Sequence, residues 1–203
     1  MYYHLPEHNT FPWPKKEAFV YQNLNPERRE KLSNILLVVT DVDGVHTNDT
    51  VLLGIGPNGE RFEMYRFITC DGIVIKECLR HNIQVVLISG RKAPAVKQRA
   101  ADLGAQCLQG IEDKVKAVRE VLDKLGLEWE HVLFVGNDIQ DLSLIRKAGF
   151  SAAPRDAAPE VRSEADYVTK KKGGKGVVRE VLQMLLEAQG HWETILTRER
   201  TLG

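Results

Sequence analysis

The stretch ILLVVTDVDG at residues 35–44 begins as a β-branched apolar run and ends in two aspartates and a glycine. Two further runs, VVLIS at 85–89 and VLFV at 132–135, share this apolar character, and a weaker run lies at 167–169. Runs that are apolar at every position are typical of parallel strands buried between two layers of helices. The stretch at 35–44 therefore predicts the first strand of such a sheet.

Apolar residues at helical spacing separate these runs, and several of the helical stretches end at a glycine, as helix C-termini often do. Strands that alternate with helices indicate right-handed crossovers. We therefore expect an α/β fold with a doubly wound, Rossmann-like parallel sheet. The predicted helices cover residues 26–32, 72–81, 94–103, 114–125, 142–148 and 177–188.

An insertion follows the first predicted strand. The runs VLLG at 51–54 and MYRFI at 64–68 flank Pro57-Asn58-Gly59. Asn-Gly between two β-prone runs is the strongest short signal of a β-hairpin. We therefore expect a hairpin between the first strand and the helix that follows it.

Composition excludes several classes of protein. Lys plus Arg number 28 and Asp plus Glu number 28, so the formal net charge is zero and nucleic-acid binding through bulk charge is disfavoured. No apolar run reaches the length of a membrane span, and we read no export signal near residue 1. Cys70, Cys78 and Cys107 lack CxxC spacing, which favours a reducing, cytoplasmic location over a disulfide framework or a zinc site.

The two ends of the chain differ from its middle. Residues 1–24 combine aromatic residues with prolines and show no regular period, so we expect this segment to dock onto the main body or onto a neighbour. We divide the chain into an N-terminal extension at 1–33, one main domain at 34–190 and a C-terminal tail at 191–203.

Polar side chains follow the ends of the three strong strands. Because ligands bind at the carboxyl ends of parallel strands, these side chains should converge although they lie far apart in sequence. They are Asp41, Asp43, Ser89, Asn137, Asp138 and Asp141.

Each of these groups of residues has a possible chemical function and an alternative, purely structural role. Asp41 and Asp43 are two residues apart in extended chain, so their side chains point the same way. Repulsion between the two carboxylates can keep one of them protonated as an acid while the other ionises. The alternative is a surface turn, because Asp and Gly are common turn residues. The acidic loop at 136–141 can hold Mg²⁺ or can cap a helix. Ser89-Gly90-Arg91 can bind phosphate or simply turn the chain. Together with Lys114, the set suggests phosphoryl transfer to a carboxylate nucleophile, with cations offsetting the repulsion.

At this point the sequence resembles a known family. DVDGVHT at 41–47, ISGR at 88–91, Lys114 and GNDIQD at 136–141 resemble the four motifs of the haloacid dehalogenase-like phosphatases. A wider set of strings is similar to the 3-deoxy-D-manno-octulosonate 8-phosphate phosphatases and their sialic-acid-pathway relatives, and the likeness runs from about residue 33 to 190. Those strings are CDG at 70–72, SGRKAPAVKQRAADLG at 89–104, QGIEDK at 109–114 and GGKGVVREVLQMLLEAQG at 173–190.

The resemblance implies a mechanism and an assembly. Asp41 would attack phosphorus, Asp43 would act as acid and then base, and Ser89 and Lys114 would bind the phosphoryl oxygens. Relatives of this type lack a large cap domain and form homotetramers through their hairpins, with a neighbour's C-terminal tail over the active site.

The resemblance also implies ligand sets. Mg²⁺ would be bound by Asp41, Asp43, Asn137 and Asp138, with Asp141 behind them. The sugar-phosphate substrate would be bound by Thr69, Cys70, Asp71, Gly72, Lys76, Gly90, Arg91 and Arg99.

Two positions depart from the family pattern. Asn137 stands where relatives usually have aspartate, and Cys70 stands where relatives that act on the octulosonate often have arginine. The first expectation is therefore an Mg²⁺-dependent phosphatase for a 2-keto-3-deoxy sugar-acid phosphate of the 3-deoxy-D-manno-octulosonate 8-phosphate type. The alternatives are a phosphatase for a nine-carbon, sialic-acid-type 9-phosphate and a non-catalytic, tetramer-forming module with the same fold.

Overall fold

The computed structural model describes residues 24–201, so the docking predicted for residues 1–24 lies almost wholly outside the described residues. One sheet of six parallel strands, in the order β5-β4-β1-β6-β7-β8, forms the centre of this part of the chain. The α/β doubly wound prediction is confirmed. The strands are β1 (Leu37–Asp41), β4 (Gln84–Ser89), β5 (Gln106–Gln109), β6 (Val132–Val135), β7 (Phe150–Ala153) and β8 (Tyr167–Val168).

Eight helices accompany the sheet in the described range. In that range, none of them is both long and apolar enough to cross a membrane. The helices are α1 (Pro26–Ser33), α2 (Thr69–Arg80), α3 (Pro94–Leu103), α4 (Lys114–Leu125), α5 (Leu142–Lys147), α6 (Pro159–Glu164), α7 (Val177–Ala188) and α8 (Trp192–Thr201).

Side chains alternate along β1 between two apolar cores, because successive residues of a strand point to opposite faces. Val38 packs with residues of α2, α3 and α7, whereas Leu37 and Val39 pack with residues of α4, α5 and α6. The full burial of β1 follows from these two helical layers.

The predicted hairpin is confirmed and forms a separate two-stranded antiparallel sheet of β2 (Leu52–Ile55) and β3 (Arg61–Met64). The second strand was predicted at 64–68 but ends at Met64, because Phe67 and Ile68 already lead into α2, which begins at Thr69. Strands β5 and β7 were not predicted. The first has a polar residue at each end and the second contains small residues, so neither shows a long apolar run.

Both terminal segments in the described range pack on the main body. Helix α1 lies against α7 and β7, with Leu32 fully buried. The segment predicted as a C-terminal tail forms α8, which buries Trp192 and Ile195 in the same core.

Candidate active site

The site lies where the sheet order reverses. From β1 the chain proceeds outward through β4 and β5, then returns to the other side of β1 with β6. The carboxyl ends of β1 and β6 therefore border a crevice, which is where open α/β sheets bind ligands. Asp41 ends β1, and the loop 136–141 follows β6.

Lys114 joins the two acidic segments. Its Nζ donates hydrogen bonds of 2.7 Å to Asp41 Oδ1 and of 2.7 Å to Asp141 Oδ1, and all three side chains are at most 5% exposed. Burial lowers the pKa of Lys114, but the two carboxylates outweigh it and the pKa ends above its usual value. Burial, followed by repulsion from Asp141, raises the pKa of Asp41 to about 7. The ammonium group is thus the charge that opposes two buried carboxylates.

Asp141 also orders the loop before it. Its Oδ2 accepts hydrogen bonds from the backbone N–H groups of Asn137 (2.9 Å) and Asp138 (3.3 Å). A Cβ at Gly136 would lie 2.7 Å from the Cβ of Asp141, so the loop can approach this closely only with glycine there. Asp141 therefore holds both Lys114 and the loop in place.

Oxygen atoms gather beside Asp41. One terminal atom of the Asn137 amide lies 3.2 Å from Asp41 Oδ2 and 2.9 Å from the Asp43 carbonyl oxygen. If this atom is the amide nitrogen, it donates two hydrogen bonds. If it is the amide oxygen, it forms with Asp41 Oδ2 and the Asp43 carbonyl oxygen a group of three oxygens, the ligand type that a hard cation requires. No group of three or more His, Cys, Asp or Glu side chains in residues 24–201 could hold a metal, so this donor set depends on an amide and a main-chain oxygen. The residues fit Mg²⁺.

Glycines make this approach possible. Gly44 has a φ of +76°, and a Cβ there would lie 2.0 Å from the other terminal atom of the Asn137 amide. A Cβ at Gly173 would lie 2.1 Å from the Gly44 carbonyl oxygen. Any side chain at either position would push the 41–47 loop away from its neighbours.

His46 belongs to the same loop and was not among the predicted site residues. Its ring Nε2 lies 2.8 Å from Thr40 Oγ1, and burial lowers its pKa to about 4. The ring is therefore neutral at pH 7 and supports the loop as a packed, hydrogen-bonded group.

The Asp43 carboxyl is half-buried, and its Oδ1 has no hydrogen-bond partner among the residues that the structure describes. Burial raises the pKa of Asp43, and the positive charge of Arg91 opposes that rise. A carboxyl with a raised pKa and a free oxygen can protonate a leaving group.

Ser89 and Gly90 lie at the end of β4. Ser89 is buried, and its Oγ accepts a 3.0 Å hydrogen bond from the backbone N–H of Arg91. Gly90 is exposed, and Arg91 Nη2 donates to both carboxylate oxygens of Glu63, at 3.1 and 3.0 Å. Glu63 is a residue that sequence reasoning missed, because a hairpin glutamate carries no local signal.

The remaining predicted substrate residues lie on or beside α2. Thr69 and Lys76 are exposed and Cys70 is half-buried. A Cβ at Gly72 would lie 2.9 Å from Arg99 Nη2, so this glycine leaves room for the guanidinium. Asp71 is buried, and its Oδ1 accepts from the backbone N–H of Arg179 (2.8 Å), which places its carboxylate at the start of α7.

Asp138 is exposed, and its Oδ1 accepts from the backbone N–H of Ile139 at 2.7 Å. The carboxylate thus caps the short turn at 139–141. Of the two neighbouring candidates for the metal, Asn137 is the one that contacts Asp41 and Asp43.

This fold, with paired aspartates at the switch point and a lysine between two carboxylates, defines a haloacid dehalogenase-like hydrolase, and a family model of that description matches residues 109–181. The chain belongs to the 3-deoxy-D-manno-octulosonate 8-phosphate phosphatase family. It is 42% identical over 174 residues to the Salmonella typhimurium protein KdsC of that name, covering 85% of this chain and 90% of the relative. The KdsC protein of Escherichia coli K12 is 44% identical over the same coverage.

Solved structures of phosphatases from the same family share the fold of this chain. The phosphatase of this family from Yersinia pestis has a TM-score of 0.78 and 36% identity, covering 84% of this chain and 90% of that one. The Moraxella catarrhalis enzyme, solved with magnesium, phosphate and KDO, has a TM-score of 0.79 and 32% identity, covering 85% and 97%. The resemblance read from the motifs is confirmed, and the chain is a phosphoric monoester hydrolase.

Proposed function

We propose that the chain releases phosphate from 3-deoxy-D-manno-octulosonate 8-phosphate with Mg²⁺ and an aspartyl-phosphate intermediate. The observation that carries this proposal is the placement of Asp41. Its Oδ1 accepts a hydrogen bond from Lys114, and its Oδ2 lies 3.2 Å from the Asn137 amide atom that also contacts the Asp43 carbonyl oxygen. The relatives that are 41–44% identical and the solved complex with magnesium, phosphate and KDO support the same substrate.

The reaction has two halves. An Asp41 oxygen forms a bond to phosphorus while the bond from phosphorus to the sugar oxygen breaks, and the Asp43 carboxyl gives that oxygen its proton. Water then attacks phosphorus, Asp43 takes up its proton, and Asp41 is released with free phosphate. The raised pKa of Asp43 suits the acid role, because a carboxyl of ordinary pKa carries few protons at neutral pH.

Cations must offset the repulsion between a carboxylate nucleophile and a phosphate dianion. At an effective dielectric constant near 20, one pair of unit charges 4 Å apart repels by about 4 kcal/mol. Lys114 supplies a fixed positive charge at the nucleophile. Asp41, the main-chain oxygen of Asp43 and the Asn137 amide oxygen would hold Mg²⁺, which when bound supplies further positive charge beside the phosphoryl oxygens.

We propose in addition that the working form is a homotetramer. A two-stranded hairpin is marginally stable alone, and this one exposes apolar side chains on both of its faces. Those side chains belong to Leu52, Leu53, Ile55, Phe62 and Met64. The three cysteines are free, which supports the proposal of a reducing, cytoplasmic location.

The decisive experiment measures phosphate release by the purified full-length chain with Mg²⁺. We expect turnover of the eight-carbon 8-phosphate to exceed that of nine-carbon, sialic-acid-type 9-phosphates, and EDTA to abolish it. Asp41→Asn should be folded by circular dichroism and inactive. Faster turnover of the nine-carbon substrate would overturn the choice of sugar, and turnover by Asp41→Asn would overturn the mechanism.

A further inference from the structure

The segment that leaves the hairpin carries a row of linked side chains. Tyr65 Oη donates a 3.2 Å hydrogen bond to Glu63 Oε2, and the rings of Tyr65 and Phe67 stack with centroids 6.1 Å apart and an interplanar angle of 12°. These are alternate residues of extended chain, which point to one side. We call residues 63–68 the hairpin-exit segment.

Both ends of the hairpin-exit segment contact an arginine. Glu63 accepts two hydrogen bonds from Arg91 Nη2. At the other end, the Arg99 guanidinium lies 5.7 Å above the Phe67 ring, and its Nη2 donates to the Ile68 carbonyl oxygen at 3.3 Å. The contacts to Arg99 tie the segment to α3, so Glu63 is presented from a supported stretch of chain.

The Glu63 end faces the candidate active site. Arg91 lies two residues after Ser89 at the end of β4, and its backbone N–H donates a 3.0 Å hydrogen bond to the buried Ser89 Oγ. Glu63 engages only Nη2 of a guanidinium that has five N–H donors, and the Arg91 side chain is 46% exposed. Donors on the other guanidinium nitrogens of this half-exposed side chain are therefore left for a ligand.

We propose that Glu63 is a positioning residue: held by Tyr65, it sets the direction of the Arg91 guanidinium for the sugar-acid part of the substrate. The inference rests on the proposed function. An unrestrained arginine side chain loses conformational entropy when it binds a ligand. A carboxylate that already binds one guanidinium nitrogen orders the side chain in advance, so the entropy cost of ligand binding is smaller. We expect a change at Glu63 to alter KM rather than kcat, because Lys114, and not Arg91, would bind the phosphoryl group.

A double-mutant cycle tests the proposal with Glu63→Gln, Arg91→Ala and the double variant. We expect Glu63→Gln to raise KM for the eight-carbon substrate about ten-fold with kcat little changed, since it removes a charge-assisted pair. It should have no further effect on Arg91→Ala, because the two residues act as one unit. Tyr65→Phe should raise KM by roughly two- to three-fold, because it removes one neutral hydrogen bond and keeps the ring stack.

Two controls separate positioning from structure. Glu60→Gln changes an exposed glutamate of the same hairpin and should leave KM unchanged. With p-nitrophenyl phosphate, which lacks the sugar acid, Glu63→Gln should behave as wild type. An equal loss with both substrates, an unchanged KM, or independent losses for Glu63→Gln and Arg91→Ala would each overturn the proposal.

A readout without turnover keeps this inference distinct from the proposed function. In the wild type, NMR should show slowed rotation of the Arg91 guanidinium, and Glu63→Gln should release it. A wild type that turns over neither substrate would defeat the proposed function, whereas free rotation of Arg91 in the wild type would defeat the positioning role.

Discussion

Lys114 carries the positive charge that compensates two buried carboxylates in the folded state. Without its ammonium group, Asp41 and Asp141 would face each other in a buried space with no compensating charge. We expect Lys114→Met to lower the free energy of unfolding at pH 8 by roughly 3–5 kcal/mol, the usual range for one lost partner of a buried pair. Urea unfolding measures this, and the exposed Lys116→Met on the same helix should change it by less than about 0.5 kcal/mol.

The loss of unfolding free energy caused by Lys114→Met should depend on pH. Burial and Asp141 already raise the pKa of Asp41 to about 7 with Lys114 present, and removing Lys114 raises it further. A carboxyl whose pKa is raised by folding takes up a proton on folding, so its unfavourable effect is lost as the pH falls. The gap between Lys114→Met and wild type should therefore shrink between pH 8 and pH 5. A gap that stays constant would contradict this electrostatic account.

Gly44 and Gly59 share a backbone conformation but differ in surroundings. Their φ angles are +76° and +83°, yet a Cβ at Gly44 would meet the Asn137 amide at 2.0 Å, and one at Gly59 would meet nothing within 4 Å. We expect either change to alanine to cost about 1–2 kcal/mol of stability from backbone strain. Only Gly44→Ala should also lower kcat/KM, by about 100-fold, because it displaces the Asn137 amide, which contacts Asp41 and the Asp43 carbonyl oxygen.

Substitutions at Asn137 and Asp138 should have different effects on the affinity for Mg²⁺. Asn137→Asp adds a negative charge beside Asp41 and should tighten Mg²⁺ binding roughly ten-fold, since ligand charge sets affinity for hard cations. Asp138→Asn should leave it almost unchanged, because that carboxylate caps the turn at 139–141. Calorimetric titration with MgCl₂ distinguishes the two. A weakening confined to Asp138→Asn would assign the metal to Asp138.

At the scale of elements, α7 begins without a cap of its own. Its N-cap is Gly176, which has no side chain, and Asp71 of α2 supplies the acceptor for the third helical N–H instead. Burial raises the pKa of Asp71 to about 6. A side chain from one helix thus completes the end of another and joins the two in the core.

The two changes at Asp71 should separate the cap from the charge. Asp71→Ala removes the acceptor and should cost about 1–2 kcal/mol in urea unfolding. Asp71→Asn keeps an acceptor oxygen and avoids a buried charge at pH 8, so its stability should be close to that of the wild type. If Asp71→Asn instead abolished turnover without loss of stability, the substrate-binding role predicted for this residue would hold.

At the scale of the whole molecule, the exposed apolar hairpin governs the expected assembly. Sedimentation should give a mass about four times the chain mass of 22.9 kDa. Leu53→Arg and Ile55→Arg place charges on the most exposed apolar positions of the hairpin and should produce smaller species. Leu125→Arg, a matched change at the exposed end of α4, should leave the tetramer intact. A monomeric wild type would contradict the tetramer proposal.

Local patterns were sufficient for much of the fold. The β-branched runs predicted β1, β4 and β6, and Asn-Gly predicted the hairpin, because side-chain period and turn chemistry are properties of neighbouring residues. The same patterns missed β5 and β7. Their short, polar or small-residue sequences become strands because β4 and β6 offer them backbone partners.

The sequence by itself determined which residues end the central strands, and hence that Asp41, Asp43 and the loop at 136–141 belong to one edge of a parallel sheet. Only the tertiary structure decided what each of them touches. It placed Asn137 rather than Asp138 against Asp41, put Asp71 at the start of α7, and joined Glu63 to Arg91. The physical reason is that strand and helix periods are local, whereas these contacts arise only where distant segments pack against one another.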